Sequence, residues 1–105
     1  MTPQEILIAA KAKIDTPDKW TKGDFAQNSD GDPVPSKSPY AVCFCSLGAL
    51  YSLDIPPDLL GPVYDALDKA MGDETVTHFN DTHTHSQVMA AWAVSYTHLT
   101  LPTKA

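Results

Sequence analysis

The sequence predicts a mainly helical α+β domain, about four helices around a central apolar helix at residues 39–53, with a small β-hairpin. Three observations predict it. The stretch Ser38–Leu53 carries no charged residue, as suits an element packed on several sides. Apolar residues recur at helical spacing in three other segments, two of them behind capping signals. Between the first segment and the central stretch, Asp30-Gly31 marks a turn flanked by aromatic and β-branched residues.

Taken in order, Thr2-Pro3-Gln4-Glu5 has the form of a capping box. Ile6, Leu7, Ala10 and Ile14 then predict an amphipathic helix over residues 3–15, broken by Thr16-Pro17-Asp18. Phe25–Gln27 and Pro33–Pro35 are expected as the arms of the hairpin. A calcium loop around Asn28, Asp30 and Gly31 is rejected, because Ala26 and Lys37 occupy its first and twelfth positions. Ser38-Pro39 gives a start signal for the central helix, and Asp54, Pro56 and Pro57 end it. Leu59, Val63, Tyr64, Leu67, Ala70 and Met71 predict a helix over 58–71, closed by Gly72-Asp73. Val76-Thr77-His78-Phe79 is expected as a short strand. Thr84-x-x-Gln87 is a second capping box, opening a helix with the stripe His85, Val88, Met89 and Trp92. From Val94 to Ala105 helical periodicity is absent. That segment resembles the translation of a sequencing-adapter read-through, so a single domain over 1–93 with a non-native tail over 94–105 is expected.

Composition narrows the function. A length of 105 residues fits one domain with a modest core, and 43% hydrophobic content suits a soluble globular chain. The net charge of −6, from 7 Lys+Arg against 13 Asp+Glu, opposes nucleic-acid phosphates and anionic membranes. The uncharged central run falls short of the ~20 residues that span a bilayer. The start MTPQEILIAA lacks the basic region and cleavage site of a signal peptide, which points to the cytoplasm.

Chemistry-bearing residues are sparse. Cys43 and Cys45 would point about 200° apart on a helix and are expected to be buried thiols, not a disulfide or chelate. Gly48 beside Ala49 predicts close approach of another backbone, or a ligand resting on the bare patch. His78, Asp81, His83 and His85 are weak metal candidates, because their spacing matches no established site. The simpler account has Asp81 and the threonines shaping a turn, His85 facing the core beside Trp92, and the other histidines solvated. No catalytic set, nucleophile elbow or phosphate-cradling glycine loop is present, and no cofactor is expected. Trp20, Phe25, Tyr40, Phe79 and Trp92 could be a core or the wall of a pocket for a planar ligand.

Trp20-Thr21-Lys22-Gly23, Cys45-Ser46-Leu47-Gly48-Ala49 and Phe79-Asn80-Asp81 together resemble the recurring features of a family of small bacterial and phage proteins, a domain of unknown function. The resemblance covers about residues 3–92. It implies a native last helix running past Trp92 and implies no activity. The leading expectation is a non-catalytic binder of a small molecule, with Trp20, Lys22, Gly23, Phe25, Gly48, Phe79, Asn80 and Asp81 as the ligand-binding set. The family's occurrence in phages suggests sequestration of a nucleotide-derived immune signal, for which a homo-oligomer with sites between subunits would suit. Two other readings stand beside it: an acidic module that blocks a basic nucleic-acid-binding groove, and a small metal-dependent hydrolase.

Overall fold

The computed structural model describes residues 2–72 and 74–97. The capping signals at both ends of the chain form as written. Thr2 Oγ1 accepts from the Glu5 N–H at 3.2 Å and Glu5 Oε1 accepts from the Thr2 N–H at 2.8 Å, opening α1 (Pro3–Ala12). Thr84 and Gln87 repeat that exchange at 2.9 and 3.2 Å at the start of the last helix, His85–Thr97. The stripe after Pro57 becomes a long helix, Pro57–Ala70, closed by Gly72 at φ +66°.

The uncharged stretch divides. Its second half is a short helix, α2 (Ser46–Tyr51), and its first half is extended, which corrects the continuous helix expected over 39–53. Ser38-Pro39 makes a turn instead of a cap, with Ser38 accepting from the N–H groups of Tyr40 and Ala41. Beyond it, backbone partners compete successfully for the chain. The Val42 N–H donates to the Gln27 carbonyl at 2.9 Å and the Cys45 N–H to the Phe25 carbonyl at 3.1 Å. These bonds bracket a two-residue antiparallel pairing of β1 (Ala26–Gln27) with β2 (Cys43–Phe44), Ala26 opposite Phe44 and Gln27 opposite Cys43. Cys45 then caps α2, its Sγ accepting from the Gly48 N–H at 3.3 Å.

The expected hairpin is present only as a fringe of this sheet. Gln27 and Pro33 form one bridge, and the Val34 N–H donates to the Ala26 carbonyl at 3.0 Å. At the tip, Asn28 Oδ1 accepts from the N–H groups of both Asp30 and Asp32, and Gly31 takes φ +83°. Asn28 thus serves its own turn.

Val76–Phe79 is helical, not a strand. It opens α4 (Val76–Thr82), because Thr75 Oγ1 accepts from the His78 N–H at 3.1 Å and so supplies an N-cap. With the long helix as α3 and the last as α5, five α-helices accompany the small sheet, and the chain is a mainly helical α+β fold. α5 lies against α1 and α3, and α1 also touches α2. Ile6, Leu7, Ile14, Leu50, Val63, Leu67, Met71, Val88 and Trp92 fill the core between them. Helical periodicity continues past Val94, contrary to expectation: α5 runs to Thr97, Ser95 is fully buried, and the Tyr96 carbonyl accepts from Gln4 Nε2 at 3.3 Å. His98–Ala105 lie outside the described residues. Among the described residues no helix is long and apolar enough to cross a membrane.

Candidate functional site

Asn80 is the most heavily bonded side chain in the ligand-binding set, and it is fully buried. Its Oδ1 accepts from Trp20 Nε1 at 2.8 Å, from the Ser46 N–H at 3.0 Å and from Ser46 Oγ at 2.8 Å. Its Nδ2 donates to the Thr21 carbonyl at 3.0 Å and to Asp81 Oδ1 at 3.1 Å. Ser46 Oγ in turn accepts from the core indole of Trp92 at 3.0 Å. One carboxamide on α4 therefore ties together the Trp20–Thr21 segment, the start of α2 and the core. The geometry places Asn80 as an internal connector with no free hydrogen-bonding atom turned to solvent.

Asp81, the next residue, faces outward in part. Its Oδ1 also accepts from the Gly23 N–H at 3.2 Å, holding the chain there at φ +84°. Gly23, Phe25 and Asp81 meet at a cleft of about 460 Å³, together with Asp24, Ala26, Pro33, Val34, Pro35, Cys45 and Thr77. The volume lies within the ordinary range for small-molecule sites. The hairpin fringe forms one wall, the Gly23–Ala26 segment the second, and α4 the third, with Cys45 between them.

The remaining members of the set lie elsewhere. Trp20 is half-buried behind Asn80, and Lys22 Nζ sits 5.4 Å from the centre of its ring, a cation–π contact. Phe79 stacks on His83, with ring centres 3.7 Å apart. Gly48 is buried under the Phe25 carbonyl; a Cβ built there would lie 1.7 Å from that oxygen. The expected backbone approach is thus observed, and its partner is Phe25. The aromatic group does not act as one body: Trp92 is core, whereas Tyr40 is 73% exposed and Phe25 51%.

The histidines diverge. His78 meets Glu74 at 3.4 Å, His83 Nδ1 meets the Phe79 carbonyl at 2.9 Å, and His85 Nε2 meets the Ile14 carbonyl at 2.7 Å. His85 rests against Trp20. Among the described residues no group of three His, Cys, Asp or Glu side chains is arranged to hold a metal ion. The Cys45 thiol is pushed above its ordinary value, mainly by burial and further by the Asp81 carboxylate, against backbone N–H groups that favour the thiolate. At neutral pH it is a thiol that caps a helix, poorly suited to nucleophilic attack.

Sequence reasoning found three cleft residues, Gly23, Phe25 and Asp81, and missed the others. In the sequence, Pro33–Pro35 reads only as a hairpin arm and Thr77 as part of a strand. The signal that could have found Thr77 was Thr75, an N-cap residue just ahead of a helix that also carries Asn80 and Asp81.

The chain belongs to the family of unknown function DUF6197, which matches residues 1–94. No curated protein and no solved structure matches it.

Proposed function

We propose that this member of a family of unknown function is a non-catalytic small-ligand binder whose site is the cleft between the hairpin fringe, the Gly23–Ala26 segment and α4. The observation that carries the proposal is the convergence of Gly23 and Phe25 with Asp81, more than fifty residues further along the chain, on one cleft of about 460 Å³. Phe25, Val34 and the two prolines offer apolar surface for a flat body, while Asp24 and Asp81 offer acceptors at its edge. Among the described residues no lysine, arginine or histidine lines the cleft. A phosphate would meet two carboxylates there and no cation. Among nucleotide-derived ligands, the chemistry therefore favours a base or nucleoside bound through its amino groups over a phosphate-bearing form. The absence of an activated nucleophile among the lining residues supports binding without turnover, since Cys45 is held as a neutral thiol.

Thermal unfolding with a panel of nucleosides, nucleotides and aromatic amines tests this. A ligand at a hundredfold its Kd adds about 2.7 kcal/mol to folding stability. The expected result is a raised midpoint with a nucleoside or aromatic amine that is lost in Asp81→Asn. That variant keeps an oxygen acceptor for the Gly23 N–H, removes the charge and turns the second acceptor into a donor. A panel that shifts nothing, or a shift equal in Asp81→Asn, would refute the proposal.

A further inference from the structure

A second feature of the same side of the molecule begins at that cleft and runs beyond it. Phe25 reaches out of it to touch Tyr51 edge-on, with ring centres 5.4 Å apart. Tyr51 shares a hydrogen bond of 2.5 Å with the hydroxyl of Tyr64. Tyr64 lines another cleft, of about 610 Å³, with Leu47, Asp68, Glu74, Thr75, Val76 and Thr77. Thr77 lines both clefts, so the two are joined at the first turn of α4 and again through the Phe25–Tyr51–Tyr64 row. The result is a continuous band with an aromatic floor. Phe25 is 51% exposed and Tyr51 39%, unusual for such large apolar bodies side by side.

The charge at the two clefts has one sign, and Lys37, which borders a third hollow beside Tyr51, is paired with Asp54. Asp24 and Asp81 stand at one end, Asp68 and Glu74 at the other, and among the described residues neither cleft is lined by a lysine, arginine or histidine. His78 approaches the band only through its contact with Glu74. Aromatic surface with a polar rim is the composition of a protein-docking patch, and here the rim selects the partner by charge.

We infer that this band docks a basic segment of another protein, with apolar side chains seated on Tyr51 and Leu47 and arginine or lysine heads reaching Asp68 and Glu74. The inference does not rest on the small-ligand proposal: its residues Tyr51, Tyr64, Asp68 and Glu74 are outside that cleft. An extended segment suits it, because successive side chains can enter the two clefts in turn.

The test uses a short fluorescein-labelled peptide alternating arginine and leucine, and its glutamate–leucine counterpart, read by anisotropy against the whole protein. The expected result is binding of the arginine peptide alone, weakening as salt rises. Asp68→Lys and Glu74→Lys should each weaken it by about tenfold or more, since each replaces attraction by repulsion. Tyr51→Ser should weaken binding with little change in the salt slope. Asp68 is exposed and Glu74 is half-buried at the surface beside His78, so circular dichroism should show a folded Asp68→Lys protein even if Tyr51→Ser proves unstable. Equal binding of both peptides, equal affinity in the charge reversals, or no binding at millimolar peptide would overturn the inference. So would native mass spectrometry showing a dimer that Tyr51→Ser dissociates, because the band would then belong to a second copy of the chain.

Discussion

Asn80→Ala should unfold the protein more readily by about 3–5 kcal/mol, although the side chain removed is small and polar. The magnitude follows from the partners left behind. The Trp20 N–H is half-exposed and can turn to water. The Ser46 N–H cannot: it is buried at the start of α2, and an unsatisfied buried donor costs about 1–3 kcal/mol. The Thr21 carbonyl loses its Nδ2 donor, and Ser46 Oγ loses the acceptor that orients it under Trp92. Against a total stability of roughly 5–15 kcal/mol for a domain of this kind, that is a large share. Urea denaturation followed by tryptophan fluorescence measures it directly, since Trp20 and Trp92 both report on the network. Asn80→Asp sharpens the test. It places a second carboxylate where Nδ2 now donates to Asp81 at 3.1 Å, so its penalty should be larger at pH 7 than in acid, where the introduced carboxyl is protonated. A loss under about 1 kcal/mol in Asn80→Ala, or an Asn80→Asp penalty independent of pH, would refute the role of Asn80 as internal connector and return it to the ligand-contact role.

Two further outcomes are expected. Gly48→Ala should cost about 3 kcal/mol or more, because its Cβ would fall 1.7 Å from the Phe25 carbonyl, a backbone atom that also accepts from the Cys45 N–H; a loss within about 0.5 kcal/mol by urea denaturation would show that the segment yields freely. Alkaline pH should destabilise the fold. The Cys45 thiol and the Tyr64 hydroxyl are both raised, chiefly by burial, so their contribution is complete below the ordinary values of 9.0 and 10.0 and is lost as pH rises above them. Cys45→Ser keeps a helix-capping side chain that does not titrate, and its stability should fall less steeply above pH ~9; superimposable pH profiles for the two proteins would count against this.

How much of this was legible in the sequence depended on whether an element declared its own ends. α1 and α5 announced themselves through Thr2/Glu5 and Thr84/Gln87, short-range exchanges that require no distant partner. α3 did so through an apolar stripe and Gly72. The stretch 38–53 could not, because an uncharged run is equally suited to a buried helix or a buried strand. What decided it was Phe25 and Gln27, whose carbonyls accept from the Cys45 and Val42 N–H groups across a sequence gap that periodicity does not see. α4 was hidden for the opposite reason. Its residues Val76, Thr77 and Phe79 favour strands individually, and the cap on Thr75 outweighs them.

The same distinction separates the two halves of the ligand-binding set. Trp20, Gly48 and Asn80 were noticed as unusual residues, and each has a structural partner that accounts for it: an amide, a carbonyl and a serine. Gly23, Phe25 and Asp81 remain at the cleft, and they are held there through Asn80 and Gly48. Asn80 Nδ2 fixes the Asp81 carboxylate, Asp81 fixes the Gly23 N–H, and the bare face of Gly48 admits the Phe25 backbone. The cleft is thus shaped before any ligand arrives, at the expense of polar groups that must be buried and fully paired. A fold that needed Asn80 only for its core could satisfy Ser46 and Trp20 without carrying a carboxylate next in sequence. The conjunction of Asn80 inward and Asp81 outward on one turn of α4 is what joins the stability of the domain to the form of its site.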